Sequence, residues 1–238
     1  MTSTASRARE LMTAAVADPG LAGVAAELQR ICRAAVSGLG LLGAAVHVMP
    51  QSGVSGIGAS SDAHAAILAE LLTTTGEGPG ADAFSMRRPV LVPDLLASSG
   101  RWPGYVEAAA RAGLGAVWSL PLHLGAVSLG ILDLYDVDAR SLSAEDLGVA
   151  VQLSRLAVEP LLDGRSGGHG GSVDAGLAAV EHFAEVHQAQ GMVMVDLKVE
   201  LAEALVRMRA HAFANEMTLV ELARAIVGGT EDAVSWDR

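Results

Sequence analysis

Residues 164–172 read GRSGGHGGS, a run with almost nothing to bury. Such a segment behaves as a flexible coil spanning about 15 Å. It divides the 238-residue chain into two unequal parts. We read residues 1–163 as one domain, 164–172 as a linker, 173–230 as a second domain and 231–238 as a tail. A floppy connection transmits torque poorly. Any signal between the parts is therefore expected to act through docking or association rather than by twisting one continuous helix.

Hydrophobic residues make up 51% of the chain, so each part has material for a core, but aromatics are only 3%. Packing must rest on Ala, Leu and Val. The net charge of -11 excludes broad non-specific nucleic-acid binding, which runs on Lys and Arg contacts to phosphate. A local basic patch is still permitted, and Lys198 is the only lysine. The single cysteine, Cys32, excludes an internal disulfide and a multi-cysteine zinc site; it falls on an apolar helix face and reads as core. The N-terminus, MTSTASRARELM, lacks the apolar stretch of a signal peptide. No run of about 18 apolar residues is present to span a membrane. A cytoplasmic protein is expected.

In the first part, Leu21, Val24, Leu28, Ile31, Cys32 and Ala35 recur at helical spacing. LLGAAVHVM (41–49) and VSGIGAS (53–59) read as strands, and a helix follows from about Asp62 to Leu72. The Gly/Pro cluster GEGPGADAF (76–84) reads as irregular backbone. RRPVLVPDLL (87–96) gives a short strand, and 101–114 a turn and helix. Residues 115–136 give two strands turning near 124–126, with Pro121 suited to an edge or a bulge. Ser143 caps a final helix running to about Leu162. Strands joined by short turns, with helices between, predict an α+β domain built on an antiparallel sheet.

The ordered pieces GPGADAF, RRPVLVPDL, RWPGY and SLPLHLGAVSLGILDLY resemble a GAF domain over roughly residues 20–163. That resemblance implies a small-molecule sensor or dimerisation module. Asp94, Trp102, Tyr105 and Trp118 are the candidates to line its pocket, with Trp118 alternatively a core residue. Relatives often carry Cys where this chain has Gly80, so thiol-based sensing at that point is not expected. A GAF-fold methionine sulfoxide reductase would need more than one cysteine. No GxSxG, Walker loop or Cys–His signature is present, so no enzyme activity is expected.

The second part is helical throughout. Val173, Leu177, Val180, Ala184, His187, Gly191 and Met194 form a heptad-like seam, whose first half is expected to pair with a partner and whose second half is expected to pack within its own domain. Gly191 sits where a helix interior loses about 1 kcal/mol relative to Ala. Ala189 and Gly191 are small enough for another helix to approach, with Met192 and Met194 filling the gap. A second helix carries Leu201, Ala204, Leu205, Met208 and Ala212. Thr218 and Glu221 form a capping box that opens a third, ended by Gly228-Gly229. This is an all-α three-helix bundle, small enough to gain from a dimer.

VHQAQGMVMVDLKV (186–199), EALVRMRAHAFAN (203–215) and TLVELARAIV (218–227) resemble the ANTAR domain of RNA-binding antitermination regulators. The resemblance implies a homodimer that binds RNA hairpins, with a GAF domain as sensory partner. It places Gln188, Ala189, Gly191 and Met192 at or beside the RNA surface. It makes Lys198, Arg207, Arg209, His211 and Arg224 candidates to face phosphate. Unstacked loop bases are the expected target. Relatives often carry Lys at Gln190, which otherwise reads as a solvent-facing helix residue. Residues 174–227 hold eight acids against four Lys or Arg, so binding is expected to be weak and salt-sensitive. Two other readings stand beside this one. The bundle is a signalling or dimerisation module without RNA; or helices two and three form a DNA-binding helix-turn-helix, although the third carries only Arg224. His182 and His187 with Glu181 and Glu185 lack the HExxH pattern of a zinc site, and no metal or cofactor is expected.

Overall fold

The alternation in residues 115–136 produces a long hairpin, β4 (Ala116–Leu124) and β5 (Val127–Asp136). A computed structural model describes residues 3–49, 56–166 and 174–237, with side-chain surroundings described outside 163–183, 234 and 237. Three further strands, β1 (Gly43–Val48), β2 (Gly56–Ser60) and β3 (Val90–Val92), complete an antiparallel sheet of order β2-β1-β5-β4-β3. β3 pairs only with Val117–Ser119 of β4. Pro121 therefore lies beyond β3, on a stretch of β4 that is an edge on that side. A register shift follows at Leu122/His123. The strand expected over 53–59 is described from Gly56 onward.

Helices cover both faces. On one lie α1 (Thr4–Ala14), α2 (Gly23–Leu39) and α6 (Ala144–Leu156), which bury Ile31, Ala35 and Leu153 against Trp118, Leu120 and Leu132. Cys32 is buried on this side, as its helical position predicts, and burial pushes its thiol up to about 12. On the other face, α3 (Ala63–Thr75), α4 (Pro79–Met86) and α5 (Pro103–Arg111) bury Leu68, Leu72, Ala83 and Val106 against Val117, Ile131 and Tyr135.

Two local expectations are corrected, and one helix is found that no pattern predicts. Residues 79–86 are helical rather than irregular: Pro79 occupies the first turn of α4, where a missing N–H costs nothing. The helix capped by the Ser143 hydroxyl, which accepts from Asp146 N at 3.0 Å, does not run unbroken to Leu162. It ends at Leu156, and α7 (Val158–Ser166) begins after Ala157. Pro160 explains the break, since its ring opposes the carbonyl of Leu156 four residues back. Finally, α1 has no strong apolar period, yet Ala8 and Met12 are buried. The Arg7 guanidinium fixes it, donating to the Gly38 carbonyl at 3.0 Å and to Glu145 and Asp146 at 3.1 and 3.2 Å.

The first three residues of the expected linker, Gly164–Ser166, end α7; residues 167–172 lie outside the described residues. Beyond them come α8 (Asp174–Leu197), α9 (Leu201–Ala214) and α10 (Leu219–Val227). The capping box at Thr218 and Glu221 forms in both directions. Val186, Ala189 and Val193 of α8 pack on Ala204, Met208, Leu222 and Ile226. The expected seam through Ala184, His187 and Gly191 is not the line that packs here. Ala184 and His187 are exposed, and a Cβ at Gly191 would meet nothing within 4 Å. No helix of the described residues is long and apolar enough to cross a membrane.

Candidate functional site

A polar cluster is buried between the sheet and α4–α5. Asp133 of β5 pairs across the sheet with Ser119 of β4, whose hydroxyl donates to its carboxyl. Tyr135, two residues on and on the same face, also hydrogen-bonds that carboxyl. His47 of β1 is fully buried and brings Nε2 to 3.4 Å from Asp133 Oδ2. The approach is not aligned as a hydrogen bond, and neither ring nitrogen has a partner. α4 presses close from above, because Gly80 has no side chain. A Cβ there would run into Ile131 and come within 3.1 Å of Asp133 Oδ2.

Burial sets the electrostatics of this cluster. It pushes the Asp133 carboxyl up to about 7, against the lowering effect of the Ser119 and Tyr135 hydrogen bonds. It pushes the His47 ring down to about 4. Low dielectric disfavours the charged form of each, so acid and imidazole are both neutral between those values. The phenols of Tyr105 and Tyr135 are raised as well, by burial first and then by Asp133. A buried polar group without a partner costs about 1–3 kcal/mol. Neutral imidazole offers one donor and one acceptor, a pair suited to an uncharged polar ligand.

The four residues expected to line a pocket do not converge. Trp102 and Tyr105 are buried on the face of the polar cluster. Trp118 points to the opposite face, into the core under α2 and α6, with the Arg140 guanidinium 5.6 Å from its ring centroid. Asp94 is exposed and accepts from Ala97 N at 3.2 Å, closing a short turn. Trp118 and Asp94 are structural residues. In their place the sheet supplies His47, Ser119 and Asp133, which sequence reasoning passed over. Their signal was a polar residue at an inward position of an apolar run: His47 in GAAVHV, Ser119 in AVWSLPL and Asp133 in GILDLY.

A family model for the GAF domain matches residues 22–159, which is more than half of the chain. The chain belongs to the GAF domain family. Solved structures agree at the level of fold. The GAF domain of a phosphoenolpyruvate-protein phosphotransferase from Coxiella burnetii is similar with 14% identity and a TM-score of 0.53, covering 69% of this chain and 96% of that one. Its counterpart from Acinetobacter shares 10% identity with a TM-score of 0.51, over 68% and 95%. Free methionine-R-sulfoxide reductase from Neisseria meningitidis, solved with its substrate, shares 12% identity with a TM-score of 0.50, over 68% and 90%. No curated protein matches the chain.

The C-terminal helices lie beyond the matched GAF residues. Of the candidates there, Gln188, Met192 and Lys198 are exposed and Gly191 half-buried. Helical spacing puts Gln188, Gly191 and Met192 on one stripe of α8, opposite the face that packs on α9 and α10, and Lys198 follows the helix end at φ 54°. Ala189 is not on this surface; it is fully buried in the bundle core. Arg224 of α10 reaches the edge of the stripe, donating to Glu185 at 3.0 Å. Arg207 is paired with Glu203 at 2.9 Å. His211 stacks on Trp236 with centroids 4.3 Å apart and lies 3.3 Å from Glu231. Arg209 is turned the other way: its Nε donates to the Thr73 carbonyl of the GAF domain at 3.2 Å. The cations thus do not form one patch.

Gln190 is buried rather than solvent-facing. Its Nε2 donates to the Leu201 carbonyl at 2.7 Å, and its Oε1 lies 3.3 Å from His187 Nδ1. It ties α8 to the start of α9. Gln190→Ala is expected to cost about 1–2 kcal/mol, read as a lower urea midpoint for the loss of far-UV ellipticity.

Proposed function

We propose that this chain is a transcription antitermination regulator, in which the GAF domain senses a small molecule and the ANTAR-like C-terminal bundle binds hairpin loops in nascent RNA. The observation that carries the reading is the stripe Gln188–Gly191–Met192 on α8, with Gln188 and Met192 exposed and Gly191 half-buried, Lys198 just beyond the helix end and Arg224 at the stripe's edge. It presents three of the four residues matched by the ANTAR motif, Ala189 being buried, on one surface. On the sensory side, the unpartnered nitrogens of His47 beside Asp133 support an uncharged polar ligand in the polar cluster. A homodimer is part of the reading, as the ANTAR resemblance implies.

The test is direct. RNA crosslinked to the protein in cells is recovered and sequenced, and a synthetic RNA of two hairpins is titrated at low salt. Lys198→Ala with Arg224→Ala is expected to weaken binding at least about tenfold and to flatten its salt dependence, since removing one phosphate partner lowers the slope by about 0.7–0.9. Absence of crosslinked RNA and of hairpin binding would overturn the reading. A second reading, a signalling or dimerisation module without RNA, is favoured by the carboxylates on Arg207, Arg224 and His211. That experiment separates the two.

A further inference from the structure

The bundle meets the GAF domain in two places: α8 lies against α2 and β2, and α9 and α10 meet α3, where two helix caps are exchanged across a seam. The last carbonyls of a helix have no intrahelical donor. At the end of α3, the Thr73 carbonyl receives the Arg209 guanidinium of α9, a cation at the negative end of the helix dipole. In return, the Thr74 hydroxyl accepts from Leu219 N at 3.1 Å, at the first turn of α10. Gly76 ends α3 at φ 70°, and its missing side chain makes the room. A Cβ there would stand 2.6 Å from Arg209 Nη1. Around these caps the seam is loose. Arg111 of α5 reaches Glu216 at 3.5 Å and lies 5.5 Å from the Phe213 ring centroid. Clefts of about 330 and about 300 Å³ flank the contact, the larger between Ile67, Leu71, Phe213 and Met217, the smaller between Thr75, Val206 and Ala210. A partly polar seam of this kind, at the α3 end of the contact, is one that can open and close.

We infer that this seam is an autoinhibitory latch: Arg209 caps α3 and is thereby withheld from RNA. The inference rests on the RNA-binding reading above. Arg209 is a candidate cation that the GAF domain holds, and burial lowers its pKa, a sign that it has left water. The latch also touches the polar cluster. Glu77, just beyond α3, accepts from the amides of Gly104 and Tyr105 at 2.7 and 3.3 Å. The Tyr105 ring lies against Gly78. Segment 73–78 thus carries the latch on one side and Tyr105 on the other, so an occupant that displaces Tyr105 pulls on the caps.

The experiment opens the seam from the GAF side, away from every residue proposed to meet RNA. Arg111→Glu sets a carboxylate against Glu216, and Thr74→Val removes the acceptor for Leu219 N. Two readouts are taken on the full chain: amide exchange over 72–77 and 209–219, and anisotropy of a fluorescein-labelled synthetic RNA of two hairpins. The double variant is expected to exchange faster and to bind about tenfold tighter, the gain for a docked state populated about nine parts in ten. Adding Glu216→Arg is expected to restore slow exchange and weak binding, even though it adds a cation. Faster exchange with unchanged affinity overturns the inhibitory role, and unchanged exchange overturns the latch itself. If exchange shows the seam open and neither the parent nor any variant binds RNA, the RNA reading falls, and the inhibitory role with it.

Discussion

Replacing Asp133 with asparagine is expected to make stability climb more steeply with pH between about 4 and 6.5 than in the parent, where the His47–Asp133 pair adds no slope. The pair adds none because two opposite terms cancel. The Asp133 carboxyl is raised to about 7 in the fold from its unfolded value near 4. Its contribution is complete below the unfolded value and is lost as pH rises through 7. The His47 ring is lowered to about 4 from about 6.5 in the unfolded chain. Its contribution is complete above 6.5 and is lost as pH falls through 4. Between these limits the folded pair holds one proton, on the acid, and the unfolded pair also holds one, on the imidazole. With equal protons bound, the pair adds no slope. Asp133→Asn leaves only the histidine, and stability rises by on the order of 1 kcal/mol per pH unit across the window. His47→Leu leaves only the acid and reverses the sign. Urea midpoints at closely spaced pH values, followed by tryptophan fluorescence, read both. Two variants that follow the parent's pH profile would show that the cluster is not neutral as described.

Trp118→Ala is expected to cost about 3–5 kcal/mol, a large share of the about 5–15 kcal/mol that holds a domain together. Trp118 is among the largest fully buried side chains, and its removal opens a hole under α2 and α6 that neighbouring alanines and leucines cannot fill. The urea midpoint should fall with an unchanged slope, and Trp118→Phe should recover part of the deficit. A cost below about 1 kcal/mol would place the ring at a yielding surface, as a pocket wall would be, rather than in a packed core.

The sheet and most of its helices could be read from the chain because period two and period 3.6 are local signals. The antiparallel hairpin at 115–136, the Ser143 cap and the Thr218 capping box were all visible in this way. The failures share a cause: each turned on a partner distant in sequence. The parity of β4 separates Val117 and Ser119 from Trp118 and Leu120, yet nothing local says which set meets Tyr105. The α8 core line runs through Val186, Ala189 and Val193 rather than the neighbouring Ala184–Gly191 line. Only the position of α9 and α10 decides between them. The helix at Pro79–Met86 is a different case. Its glycines read as breakers along the chain, but the proline at its first turn is a start signal that outweighs them. The cap that Arg209 places on Thr73 joins residues 136 positions apart, and no pattern along the chain announces it.

The buckle made by Arg7 has a practical consequence for anyone trimming this protein. Cutting at residue 22, where the family match begins, discards Ala8 and Met12 from the interior and leaves Gly38, against which Leu11 lies, facing water. The same clasp joins the first helix to α6, 138 residues downstream, so during synthesis the fold stays unfastened until that helix has left the ribosome. A fragment designed to crystallise or to screen ligands should therefore start at the first residues of the chain.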